Sequence, residues 1–414
     1  MTRQTALLST LLAAACAPRP SAGPVAPAAG RAACPLDAGR GSPTPTMTVA
    51  LTDSVDPAHA PVPKNDAERL VFGQLYETLV RLDCEGHAVP GLAASWVASD
   101  GGRRWTLTLR DQAQFWDGAP VTARDVVVGK SGAGFTLSAI DARTVVVALA
   151  RGTDAVPPFL ADPALAVTKP APDRGWPIGT GRYWVTGATA TDSEIRAHTS
   201  AGDTLAFRLA IGRDPRDLLD AGVDLLVTRD RAVLEYAATR SAFATLELPW
   251  DRTYVLITPE RPDARLDGLE QAVRADARPA ARPLWWEQLD ACGLPPAPAT
   301  TDSTGAPPRK RTVFRRGDAA ARDLASRIAA LTRGAAAGLA PTAFARALST
   351  GTEAGYVVAL PRQVADPCRA ARDLLPLWSS MVAPLVDTRA RAVVRRGVSG
   401  WVVDWDGTVR LAPP

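Results

Sequence analysis

Between Asn65 and Val127 the hydrophobic period of this chain changes repeatedly, and few folds accommodate that order. Asn65 is a good helix N-cap, with Glu68 three residues on, as in a capping box. Leu70, Phe72, Leu75, Tyr76 and Leu79 follow at roughly helical spacing, and Gly86 ends the unit. Pro90–Trp96 reads as a short connector and Asp100-Gly101-Gly102 as a turn. Trp105, Leu107 and Leu109 alternate with Thr106, Thr108 and Arg110, the pattern of a half-buried strand. Phe115-Trp116-Asp117-Gly118 is a turn with an aromatic knuckle. Thr122 can cap a second helix with Asp125 at its third position.

The rest of the chain keeps alternating. Strands are expected at 47–51, 135–140, 144–149, 205–211, 223–227, 254–258, 312–315 and 355–360, with an extended stretch at 382–394. Helices are expected at 215–221, 231–240, 268–291, 319–332, 344–348 and 368–378, with a Pro/Thr linker at 294–309. Val398–Leu411 reads as a final hairpin around Asp406-Gly407. Such alternation implies an α/β architecture with open sheets. At 414 residues the chain suits two lobes better than one small domain.

The first residues describe export. Arg3 precedes an apolar run, Ala6–Ala15, which ends on three alanines and Cys16. That pattern resembles a bacterial lipoprotein signal, with Cys16 as the lipidated residue. The usual Leu sits one place early, at Leu12. The run is too short to span a bilayer as a helix, and no later stretch approaches about 20 apolar residues. Residues 17–46, rich in Pro, Ala and Gly, read as a tether. Removing Cys16 leaves Cys34, Cys84, Cys292 and Cys368, an even set that suggests disulfides in an exported protein, with three pairings open. None has the Cys-x-x-Cys spacing of a zinc site.

Several chemistries are excluded. The net charge of +4 is spread along the chain and does not predict nucleic-acid binding. Val126–Ser131 ends in Gly-Lys-Ser, but a P-loop needs a glycine where Arg124 stands. The histidines are His59, His87 and His198, and no Gly-x-Ser-x-Gly elbow accompanies them, so a Ser/His/Asp enzyme is not expected. No cofactor or metal is implied. The basic cluster Arg309–Arg311 with Arg315-Arg316 reads as a solvated face.

The order of the opening stretch resembles the peptide/nickel-type extracellular solute-binding proteins of ABC importers, bacterial family 5. The resemblance rests on Leu75–Val80, Pro90–Trp96, Trp105–Arg110 and Phe115–Val126. The turn Gly179-Thr180-Gly181-Arg182-Tyr183 and Ala221–Asp224 also look like family turns, and Asp387–Arg395 resembles its return strand. The match is specific over 47–260 and weaker beyond, and Gly129–Gly132 replaces a longer helical segment of the family. The resemblance implies an α/β, two-lobed periplasmic-binding-protein-like fold (type II, peptide-binding cluster), with lobes joined by two crossing strands. Its expected parts are a signal peptide at 1–16, the tether, lobe one at 47–255, lobe two at 256–382 and a return to lobe one at 383–414. Cys34–Cys84 with Cys292–Cys368 is then the favoured pairing, each pair inside one lobe.

It further implies an extracytoplasmic, membrane-anchored lipoprotein, monomeric, that captures a small ligand or peptide for an ABC permease without chemistry on it. Aromatics near the crossings, Trp250, Tyr254 and Trp378, are candidate ligand contacts. Asp251 is a candidate acceptor for a ligand amine, and Asp56 and His59 follow the first strand. The alternative is a structural or sensory envelope lipoprotein without a transport role, which a closed or filled cleft would favour.

Overall fold

The computed structural model describes residues 34–39, 45–130, 132, 134–171, 175–258, 311–362 and 381–412. Cys16, Cys292, Cys368, Trp378, the expected helices at 268–291 and 368–378 and the linker at 294–309 lie outside the described residues.

The first elements are β1 (Cys34–Pro35), β2 (Thr46–Leu51) and α1 (Asp66–Leu75). The Asn65 side chain accepts the Glu68 N–H at 2.8 Å. The Glu68 carboxylate does not close the box. It is buried, accepts the N–H groups of Asp56 and Lys64 at 3.2 and 2.6 Å, and faces His59 Nδ1 at 2.7 Å. It therefore pins the loop ahead of the helix. The helix also stops short of Leu79. The Gly181 N–H donates to the Leu75 carbonyl at 3.0 Å, and a Cβ on Gly181 would stand 2.4 Å from the Gln74 carbonyl oxygen. A side chain there would lift the turn off the helix end.

A ribbon of β3 (Val80–Leu82) and β4 (Ala88–Pro90) follows. The expected connector becomes β5 (Ala93–Ser99), because Ala93 and Trp96 pack inward while its backbone pairs with β6 (Arg104–Leu109). In β6 Trp105, Leu107 and Leu109 are buried, as their alternation requires. Asp125 Oδ2 accepts the Thr122 N–H and hydroxyl at 2.7 and 2.6 Å and caps α2 (Ala123–Val127). With β7 (Phe135–Ala139) and β8 (Thr144–Leu149) these strands form a sheet in the order β5-β6-β8-β7.

The main sheet takes in β9 (Glu194–His198), β10 (Thr204–Leu209) and β11 (Leu225–Thr228). The helices α3 (Pro215–Asp220) and α4 (Arg231–Ala238) flank β11 in sequence. Next comes β12 (Phe243–Thr258), which starts well before Tyr254. Phe243 and Leu248 are buried in neighbouring cores, and Pro249, lacking an N–H, falls at a register shift. The second half contains β13 (Arg311–Arg315), α5 (Ala319–Thr332), β14 (Ala335–Leu339), α6 (Pro341–Thr350) and β15 (Gly355–Pro361). The sequence of β14, Ala-Ala-Ala-Gly-Leu, has little strand preference, and parallel pairing with β13 makes it one. The chain returns through β16 (Met381–Arg395) to a hairpin of β17 (Trp401–Val403) and β18 (Val409–Leu411).

Nine strands form one sheet in the order β14-β13-β15-β12-β16-β11-β2-β10-β9. β12 and β16 belong to both halves. β16 pairs with β11 through Arg391–Val394, whereas β12 pairs with β15 through Arg252–Pro361 to Ile257–Tyr356. Between these stretches the β12–β16 register shifts at Glu247/Trp250, Trp250/Arg252 and Tyr254/Val255. Such irregularities bend a strand pair. Five strand steps separate β13 from β2, about 24 Å in a flat sheet. Yet Arg315, ending β13, pairs with Asp53, just past β2, at 2.5 Å. The sheet therefore curls at the crossing and brings two α/β lobes face to face.

Cys34 and Cys84 form a disulfide with a Cα–Cα distance of 5.9 Å. β1 also pairs with β17, so the start of the described chain is fastened to its end. Among the described residues no helix is long and apolar enough to cross a membrane.

Candidate functional site at the strand crossing

The crossing carries a charge network, with Asp251, Arg229 and Arg252 largely buried and Asp66 partly exposed. Arg229, in the loop after β11, reaches Asp66 at 2.7 Å and also pairs with Asp251. Asp66, the first residue of α1, pairs in turn with Arg252. Asp66 thus supplies a negative charge at a helix N-terminus, where the backbone N–H groups also favour one. Burial raises its pKa, but Arg252, Arg229 and Arg69 outweigh that and hold it well below the usual carboxylate range. Opposite charges in close contact favour both ionised forms. Next to this network the Thr253 hydroxyl donates to Asp387 at 2.5 Å, joining the two strands by side chains as well as backbone.

Further ion pairs close the gap between the lobes. Besides Asp53–Arg315, Asp230 at the start of α4 lies 4.0 Å from Arg322 on α5. Arg362, just after β15, stacks on the Trp405 ring at 3.2 Å from its centroid. It donates to the Trp250 and Trp405 carbonyls, both at 3.1 Å. Burial pushes the Arg362 guanidinium down to about 10, against the pull of Asp406, Asp251 and Asp387. This residue ties the second lobe to the C-terminal hairpin of the first.

The expected contact residues have different surroundings. Trp250 is half-buried, with the Arg389 guanidinium 4.8 Å from its ring centroid. Asp251 is 3% exposed; Oδ2 is held by Arg229, and Oδ1 has no hydrogen-bond partner. Tyr254 is fully buried, and its hydroxyl donates to Asp318, the N-cap of α5, at 2.9 Å. It braces the second lobe and shows no surface at the cleft. Asp56 caps a short 3-10 turn that ends at His59, and both are tied to Glu68 rather than to the crossing.

Asp53, Asp66, Arg229, Arg252, Arg315 and Arg362 are site residues that sequence reasoning did not select. A faint signal existed for Asp66, an acid in a first helical turn. Their partners stand far away in sequence (186 residues for Arg252 and Asp66), beyond any spacing rule. Asp83, Glu85 and His87 bring three ligand atoms within 4.8 Å of one another. Asp83 Oδ1 there accepts the Glu85 and His87 N–H groups, both at 2.9 Å, so the group serves a turn.

Known proteins share sequence with part of this chain and a fold with most of it. Residues 87–196 match the model for bacterial extracellular solute-binding proteins, family 5 Middle. This stretch is similar to that family. The chain is 47% identical over 74 residues to the periplasmic murein peptide-binding protein MppA of Escherichia coli K12, covering 18% of this chain and 13% of that protein. It is 45% identical over 49 residues to the nickel-binding periplasmic protein of the same organism, 12% of this chain and 9% of that protein. The aligned stretches are thus a small part of those relatives. The fold likeness is wider. The E. coli murein tripeptide binding protein MppA superposes with a TM-score of 0.58 at 15% identity, over 89% of this chain and 99% of that one. A dipeptide binding protein from Pseudoalteromonas sp. SM9913, solved with Met-Leu, gives 0.62 at 13%, over 88% and 98%. The chain thus has the two-lobed fold of those structures, and the stretch similar to family 5 lies within it.

Proposed function

We propose that this protein is an extracytoplasmic solute-binding protein. It captures a small ligand, a peptide being the class that several relatives' names give, and hands it to an ABC permease. Lipidation at Cys16 would hold it at the membrane as a monomer. The observation that carries this reading is the curled sheet: two bulged strands connect lobes whose described facing surfaces are bridged by side-chain pairs such as Asp53–Arg315. Breaking a few exposed or half-exposed ion pairs requires little free energy, about 0–1 kcal/mol each, so the lobes can part and close on a ligand. On opening, Trp250 would offer an aromatic wall and Asp251 would accept a ligand amine through its unpartnered Oδ1.

A thermal scan of the full chain against di- and tripeptides and divalent metals tests this. A ligand that binds only the folded form raises the melting temperature with its concentration. No concentration-dependent rise with any of them would sink the transport reading. One observation favours the second reading, a structural or sensory envelope lipoprotein. The crossing is already filled by the mutually paired Asp66, Arg229, Asp251 and Arg252. Under that reading, the melting temperature stays flat across the same panel.

A further inference from the structure

We propose that a second concavity, apart from the crossing, binds a small monocarboxylate. It lies between α1, the loop at 61–63, the turn at 161–166 and the C-terminal hairpin, and encloses about 90 Å³. It shares no residue with the Asp66–Arg229–Asp251–Arg252 network. Pro61, Phe72, Leu82, Ala161 and Pro163 give it an apolar wall.

Three guanidiniums and three carboxylates line it, but the ion pairs of those carboxylates leave one guanidinium over. Each carboxylate already has its own guanidinium. Glu77 is gripped by Arg110 through two bonds of 2.9 and 2.8 Å. Asp406 pairs with Arg69 at 3.2 Å, and Asp404 with Arg410 at 2.6 Å. That leaves Arg81. It lines the concavity, its Nε is buried without a hydrogen-bond partner, and no described carboxylate forms an ion pair with it. Burial and the nearby Arg410 both disfavour its charge, against weaker help from Asp404 and Glu77. Tyr76 lines the same space, and its buried hydroxyl has no partner either.

An unmatched guanidinium and an idle hydroxyl donor beside an apolar wall specify the guest. A planar guanidinium matches a carboxylate with two parallel bonds. One guanidinium without an ion pair, in a site whose other charges are matched, calls for a monoanion and disfavours a doubly charged phosphate or sulfate. The apolar wall calls for a short hydrocarbon body, and the volume accommodates several waters' worth of atoms. A two- to four-carbon monocarboxylic acid, or a peptide C-terminus presenting the same group, has this chemistry.

Saturation-transfer difference NMR of propionate with the full chain tests the assignment, with acetyl-alanine in place of propionate as the peptide-terminus arm. Wild type should give a saturable propionate signal. Arg81→Gln should weaken binding by about tenfold or more, as loss of a charged hydrogen bond does. Arg81→Lys, which keeps the charge and loses the fork, should fall between them. Tyr76→Phe keeps the guanidinium and should weaken binding severalfold, so the test survives if Arg81→Gln does not fold. Inorganic phosphate should not compete. The proposal is overturned by no saturable signal from either probe in wild type, by unchanged binding in folded Arg81 variants, or by phosphate competing as well as propionate. A stronger signal from acetyl-alanine than from propionate would assign the site to peptide ends, and the reverse to free acids. Neither outcome depends on ligand capture at the crossing.

Discussion

Arg229→Ala breaks the crossing network at its branch point. The side chain is 11% exposed and joins Asp66 to Asp251. Without it Asp66 keeps Arg252. Asp251, at 3% exposure, keeps no ion pair among the described residues. Stranding a buried charge in this way costs about 3–5 kcal/mol. With a urea dependence of about 3 kcal/mol/M, the unfolding midpoint should fall by about 1–1.7 M. The double variant Arg229→Leu/Asp251→Leu removes both charges and fills their volume, so it should recover about half of the loss or more. Tryptophan fluorescence during urea titration reads all three proteins. A loss below about 1 kcal/mol in the single variant would refute the reasoning. So would a double variant as damaged as the sum of its parts, because pairing would then not be what stabilises these charges.

Asp66→Asn should flatten the acid limb of stability. The folded carboxyl is held below its unfolded value of about 3.9, so its contribution is present above that pH and is lost as pH falls toward the folded value. The variant's deficit at pH 7 should therefore shrink below about pH 4, and a constant deficit from pH 7 to 3 would contradict this. Gly181→Ala should destabilise by about 1–3 kcal/mol, since its Cβ would meet the Gln74 carbonyl oxygen at 2.4 Å; an unchanged urea midpoint would show that the turn can move freely. Cys34→Ser/Cys84→Ser opens a loop with a sequence separation of 50 and should lower stability by about 4 kcal/mol. Reducing agent should then lower the wild-type midpoint by more than the variant's.

Local pattern carried most of the architecture. The alternation in Trp105–Leu109, the Thr122–Asp125 cap and the hairpin at Asp406-Gly407 all depend on neighbours a few residues away, and all are in the structure. Where distant contacts decide, the reading stopped short. α1 ends at Leu75 because Gly181, far along the chain, takes its last carbonyl. β14 is a strand only because β13 lies beside it. The first half of β12 was hidden by Pro249, a residue that normally argues against a strand and here occupies a shift in register. The crossing is expected near Trp250, and the long strands do change partners there. Its charges were not legible, since a lone Asp or Arg in sequence gives no sign of its partner across a sheet. Tyr254 illustrates the same limit: an aromatic next to a crossing can face a cleft or, as here, a helix cap in the core.

The placement of β16 and β17 has a consequence for the order of assembly. β11 has β2 on one side but gains its second partner only when residues 391–394 arrive, and β1 waits for Val402 and Val403. A chain emerging from its N-terminus can form local pieces such as the β5–β8 sheet early. Its central sheet cannot close until almost the whole sequence is present. Such distant pairings raise contact order and slow folding. A chain that stays open until its last segment is made also remains threadable, as the proposed extracytoplasmic role would require.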